Sequence, residues 1–99
     1  MRISADQVTY IRNITRETAG AAARVWLFGS RVRDDARGGG VDLLVQLDYA
    51  VAEPAQLSAA LAARVSRFMH GRKVDVLIKA PNLLHLPIHD VALAQGVLL

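Results

Sequence analysis

The chain contains no cysteine, which excludes disulfides and thiolate metal sites. No apolar run is long enough to span a bilayer. The first residues, Met1 to Val8, are polar and lack the apolar core of a signal peptide. No membrane partner is therefore expected, and the expected address is cytoplasmic. Internal repeats, long linkers and low-complexity segments are also missing. What is present is a globular composition, with 53% hydrophobic and 21% charged residues among 99. That length fits a single domain spanning 1–99, close to the lower limit for a solid core.

The net charge is +3, and arginine dominates the basic side. Arg24, Arg31, Arg33 and Arg37 lie in one short stretch, which Asp34 and Asp35 soften. Such a cluster points to nucleotide phosphate or an acidic partner rather than to general nucleic-acid binding.

The pattern of apolar residues gives an α/β order. A helix is predicted over Ala5–Ala23, with Ser4 as N-cap and Gln7 completing a capping box. Val8, Ile11, Thr15, Thr18 and Ala22 follow its inner face. Arg24–Phe28 reads as a strand broken by Gly29-Ser30, with a helical turn over Ser30–Ala36 and a flexible Gly38-Gly39-Gly40 connection. Val41–Leu47 reads as the second strand. Its Val41, Leu43, Val45 and Leu47 share a buried face, and Asp42, Leu44 and Gln46 share the other.

Pro54 opens a second long helix with Leu57, Leu61, Val65 and Phe68 on its apolar stripe and Gly71 as its stop. Lys73–Lys79 is the third strand, burying Val74, Val76 and Ile78 and turning Asp75 to the same side as Asp42. A short helix is predicted over Pro87–Gln95, and Val97–Leu99 is an apolar end that either packs on the sheet edge, the preferred reading, or docks a partner. The expectation is a small mixed sheet with helices packed on one face and a carboxylate-bearing second face.

Three features combine into chemistry. Gly29 lets a phosphate approach the backbone, Ser30 offers a hydroxyl, and the amides of the following turn favour an anion. Arg31 directly after the turn can neutralise phosphate charge, and Arg33 is as readily a solvated charge. Asp42 and Asp75, on two strands and facing alike, supply the hard oxygen ligands that Mg²⁺ prefers. Elsewhere, His85 and His89 are read as unrelated despite their spacing, because Pro87 lies between them. His70 is read as a helix-end residue facing its carbonyls, and Trp26 as core.

Leu27-Phe28-Gly29-Ser30-Arg31-Val32-Arg33, Gly38-Gly39-Gly40-Val41-Asp42-Leu43-Leu44-Val45 and Val74-Asp75-Val76-Leu77 together resemble a minimal nucleotidyltransferase of the DNA polymerase β-like superfamily. The resemblance runs from the first helix to the third strand and implies the nucleotidyltransferase fold. It implies that Gly29, Ser30, Arg31 and Arg33 bind ATP, and that Asp42 and Asp75 bind Mg²⁺ and catalyse. The implied reaction transfers AMP from ATP to a partner hydroxyl with loss of pyrophosphate. The implied partner is a HEPN-type toxin, neutralised by adenylylation or by complex formation, with this chain as antitoxin; an oligomer with itself or that partner is left open.

One position departs from the family pattern. Its second strand reads Asp-x-Asp, and here Gly40 stands where the first aspartate would be. Residues two apart on a strand share a face, so a ligand common to both metals is lost. A rate loss on the order of a hundredfold or more is expected. Natural inactivity, a substitution and a different metal arrangement each account for Gly40. Asp34, Asp35 and Asp48 are not spaced to replace the missing group. The alternative function is an inactive member that neutralises a toxin by binding alone.

Overall fold

The computed structural model describes residues 1–32 and 39–99. Arg33, the spare carboxylates Asp34 and Asp35, and most of the predicted Ser30–Ala36 turn lie outside the described residues. The elements run α1 (Ala5–Ala19), β1 (Arg24–Phe28), a 3-10 turn (Gly29–Val32), β2 (Val41–Gln46), α2 (Pro54–Phe68), β3 (Val74–Lys79), α3 (Pro87–Gln95) and β4 (Val97–Leu98). They form a compact mixed α/β domain with a four-stranded sheet in the order β3-β2-β1-β4. β1 pairs antiparallel with both β2 and β4, and β2 pairs parallel with β3. A parallel pair needs a crossover, which α2 provides.

Local chemistry sets the element ends. Ser4 Oγ accepts from the Gln7 N–H at 3.1 Å, and Gln7 Oε1 accepts from the Ser4 N–H at 2.8 Å, closing the predicted capping box. α1 stops at Ala19, four residues short of the predicted end, because Gly20 caps it with its N–H on the Arg16 carbonyl at 2.9 Å. Ala22 therefore lies beyond the helix, exposed, and the buried seam is Ile11, Ile14, Thr15 and Ala19. α2 starts at Pro54 as predicted. Its stop differs: Met69 is the C-cap, and His70, not Gly71, is the first residue beyond it in the left-handed region, at φ 59°. The Gly71 N–H then reaches the Ser66 carbonyl at 2.8 Å, as in a Schellman closure.

Val25 and Leu27 of β1, Val41, Leu43 and Val45 of β2, and Val76 and Ile78 of β3 turn to one face and pack against Ile11, Ile14, Leu61 and Val65 of α1 and α2. Phe68 leaves this core and stacks on Tyr10 with ring centroids 4.0 Å apart, and Met69 is buried in the core instead.

The second face is not bare, which corrects the expectation of helices on one face only. Phe28, Leu44 and Ala92 form a second buried cluster, with Trp26, Leu77 and Leu93 against it, so α3 packs there. The cause is Leu44: it alternates away from the main core, yet is wholly buried, and only α3 remains to cover it. Trp26 belongs to this cluster as a half-buried residue. Val97–Leu98 packs on the sheet edge as predicted, pairing with Leu27 and Trp26.

Candidate functional site

The β2–β3 register fixes the central feature. Val41 pairs with Val74 and Asp42 with Asp75, so both carboxylates stand side by side on the second face. In the antiparallel direction Asp42 lies opposite Phe28, the last residue of β1. The chain turns at once after it: Gly29 has φ 77°, and a Cβ there would run into the Asp42 carboxylate. Both facts demand glycine, and the second places the Asp42 carboxylate against the turn that leads into Ser30.

Asp42 is half-buried and Asp75 exposed. Burial first, and the Asp75 charge second, push the Asp42 carboxyl above its ordinary value, and Lys73 partly opposes them. Lys73 Nζ lies 3.8 Å from Asp75 Oδ2 on a largely exposed side chain, so this ion pair is weak. α3 covers the apolar part of this face through Ala92 and Leu93.

Gly40 is held by a different contact. A Cβ on it would meet the Lys73 carbonyl oxygen at 2.6 Å, and the adjacent Val41 N–H donates to that same oxygen at 2.8 Å. The backbone of the neighbouring strand thus lies against the place of a side chain. The resemblance marks Gly40 as a departure from the family pattern, and this obstacle, which depends on the pairing partner, is not visible in the sequence.

Arg31 is tied to the segment before α1. Its side chain is buried, and Nη1 donates to the Arg2 carbonyl at 2.8 Å, while the Arg2 N–H returns a bond to the Arg31 carbonyl at 2.8 Å. Nε is buried with no hydrogen-bond partner. Burial, then Arg72 and Arg2, lower its pKa from the ordinary arginine value. The charges acting on it are cationic neighbours, and its first role is to tie the segment before α1 to the turn after β1.

Two histidines taken as unrelated come together at the start of α3, with ring centroids 5.3 Å apart. His89 is buried, and its Nδ1 accepts from the Leu86 N–H at 2.9 Å, which places its proton on Nε2. Burial, helped by His85 and Lys79 and opposed by Asp90, lowers its pKa. His85 Nε2 lies 2.7 Å from Asp90 Oδ1. Pro87 separates the two in sequence, but it occupies the first turn of α3 and so starts the helix that brings them together.

Among the described residues no three or more histidine, cysteine or acidic side chains converge on a metal position. Two adjacent carboxylates still suit Mg²⁺, which keeps its waters and commonly takes one or two carboxylates together with substrate phosphates. Fold and site together define a small mixed α/β domain with an acidic pair beside a glycine turn. No protein-family model matches the chain, and no curated protein matches it.

Proposed function

We propose that this chain is a minimal nucleotidyltransferase that transfers AMP from ATP to a hydroxyl of a partner protein, and that it is the antitoxin for a HEPN-type toxin. The observation that carries this reading is the in-register pair Asp42–Asp75 against Gly29. Gly29 and the turn after it would receive the triphosphate. Mg²⁺, when bound, supplies positive charge against the phosphate oxygens. Asp42 and Asp75 would hold that ion, and Asp75, the more exposed, would take the proton of the attacking hydroxyl. The oxygen–α-phosphorus bond forms as the α–β phosphoanhydride breaks and pyrophosphate leaves. The test is incubation with α-phosphate-labelled ATP, Mg²⁺ and the protein encoded beside this chain. Label on the partner that disappears with Asp42→Ala and Asp75→Ala supports transfer; label that persists in both variants sinks it.

A second reading, a non-catalytic member that masks its partner by contact, is favoured by Gly40. The Lys73 carbonyl stands where a third carboxylate would begin. The exposed Leu84, Leu86, Ile88 and Val91 on and before α3 add apolar surface for such contact. This reading requires a complex that forms without ATP and survives Asp42→Ala, measured by co-elution in size-exclusion chromatography.

A further inference from the structure

Away from the acidic pair, a groove of about 360 Å³ runs between α1 and the β1–β4 edge of the sheet. Arg12 and Arg16 of α1 border it together with Val25 and Leu99, and Arg24 and Leu98 meet it at the strand ends while alternating toward the other face. Arg12 and Arg16 are one helical turn apart on α1, an arrangement of like charges that weakens a helix. Among the described residues none of the three forms an ion pair, and the nearby Glu17 is engaged by Arg64 at 3.6 Å. All three residues are exposed, and Arg12 and Arg16 give this side of the domain a positive charge that no acidic side chain among the described residues pairs with.

We propose that this groove binds an extended acidic peptide segment of a partner, laid along β4. Three features favour that occupant. Guanidinium groups fork onto carboxylates in bidentate geometry. The groove borders β4, which ends the sheet order and so has a strand on one side only, offering main-chain groups to an added strand. The floor is aliphatic and has no aromatic ring on which a nucleobase could stack, which disfavours single-stranded RNA. Alternate side chains of the peptide would place carboxylates on the α1 side, toward Arg12 and Arg16, and apolar groups on the opposite side, where Leu98 shares the face of Trp26.

Fluorescence anisotropy of a labelled short peptide of alternating glutamate and valine, titrated with the whole chain at physiological salt, tests this. Saturable binding is expected, weakened by roughly tenfold or more in Arg12→Glu/Arg16→Glu and by less than about twofold in Arg67→Glu on α2. Arg12→Gln/Arg16→Gln, a milder pair, should weaken it in the same direction if the charge reversal perturbs the circular dichroism spectrum. A peptide of alternating glutamate and proline, equal in charge but lacking every second amide donor and fixed in φ at each proline, should bind about tenfold more weakly. Equal binding to wild type and both double variants overturns the proposal, as does equal binding of the proline peptide. Tighter binding of a single-stranded RNA oligonucleotide, lost in the same variants, overturns the choice of a peptide.

Discussion

The two faces of the sheet are built to different specifications. One carries a continuous core closed by two fifteen-residue helices. The other has a small cluster under a nine-residue helix, and beyond that cluster it carries the two carboxylates. A strand shared by both faces must satisfy both. β2 does so by alternation, and among the described residues its Leu44 is the one completely buried strand side chain on the second face. The difference teaches that stability and the candidate chemistry are segregated: the first face holds the fold, and the second holds groups that the fold alone does not favour.

The largest expected effect comes from Leu43 and Leu44, which are equally buried on opposite faces. Leu43→Ala should cost about 3–4 kcal/mol in urea denaturation, because helices locked on both sides of the site cannot close the cavity. Leu44→Ala should cost less, about 2–3 kcal/mol, because α3 is short, covers this face through Ala92 and Leu93 alone, and can settle inward. Equal losses would break the contrast between the faces.

Next in size is Gly40→Asp. With the Lys73 carbonyl oxygen 2.6 Å from the new Cβ, the substitution should lose about 1–3 kcal/mol by the same measurement. It should also fail to raise nucleotidyl transfer. A gain in transfer would mean that the strands part readily and that only the carboxylate was missing.

The smallest effect is Asp42→Asn. The Asp42 carboxyl has a folded pKa above its ordinary 3.8, so ionisation disfavours the fold. That penalty is complete above the folded pKa, shrinks as pH falls through it and is gone below the unfolded value. Asparagine should therefore raise Tm by about 1–2 °C at neutral pH and give no advantage in acid. An advantage that grows on acidification would contradict the sign.

Strand alternation made much of this legible in advance. Val41, Leu43 and Val45 were assigned to the core face, and Asp42 and Asp75 to a common second face, because a period of two leaves no other choice. Ser4, Pro54 and Pro87 marked helix starts through local chemistry alone. The failures lie where partners are distant in sequence. Ile14 was passed over because the stripe was drawn through Thr18 and Ala22, while Gly20 ended the helix first. The placement of α3 depends on Leu44 needing cover, which the residues of α3 do not announce. The bond of Arg31 to the Arg2 carbonyl is likewise a tertiary contact that no spacing rule contains, and it adds a tie to the residue that the sequence marks for phosphate. The same holds for the Lys73 backbone behind Gly40.

The parallel alignment of β2 with β3 has a consequence for the order of assembly. β1 and β2 meet across a short connection, but β3 can arrive only after the whole of α2 has swung across. Contacts between distant segments are slow to form. Asp42 and Asp75 should therefore become neighbours after β1 and β2 have paired and before β4, which pairs with β1 over a longer stretch of chain, and their mutual repulsion sets in as β3 docks. Under the proposed function, a divalent cation present during refolding would relieve that step, and the onset of cation binding would time the arrival of β3.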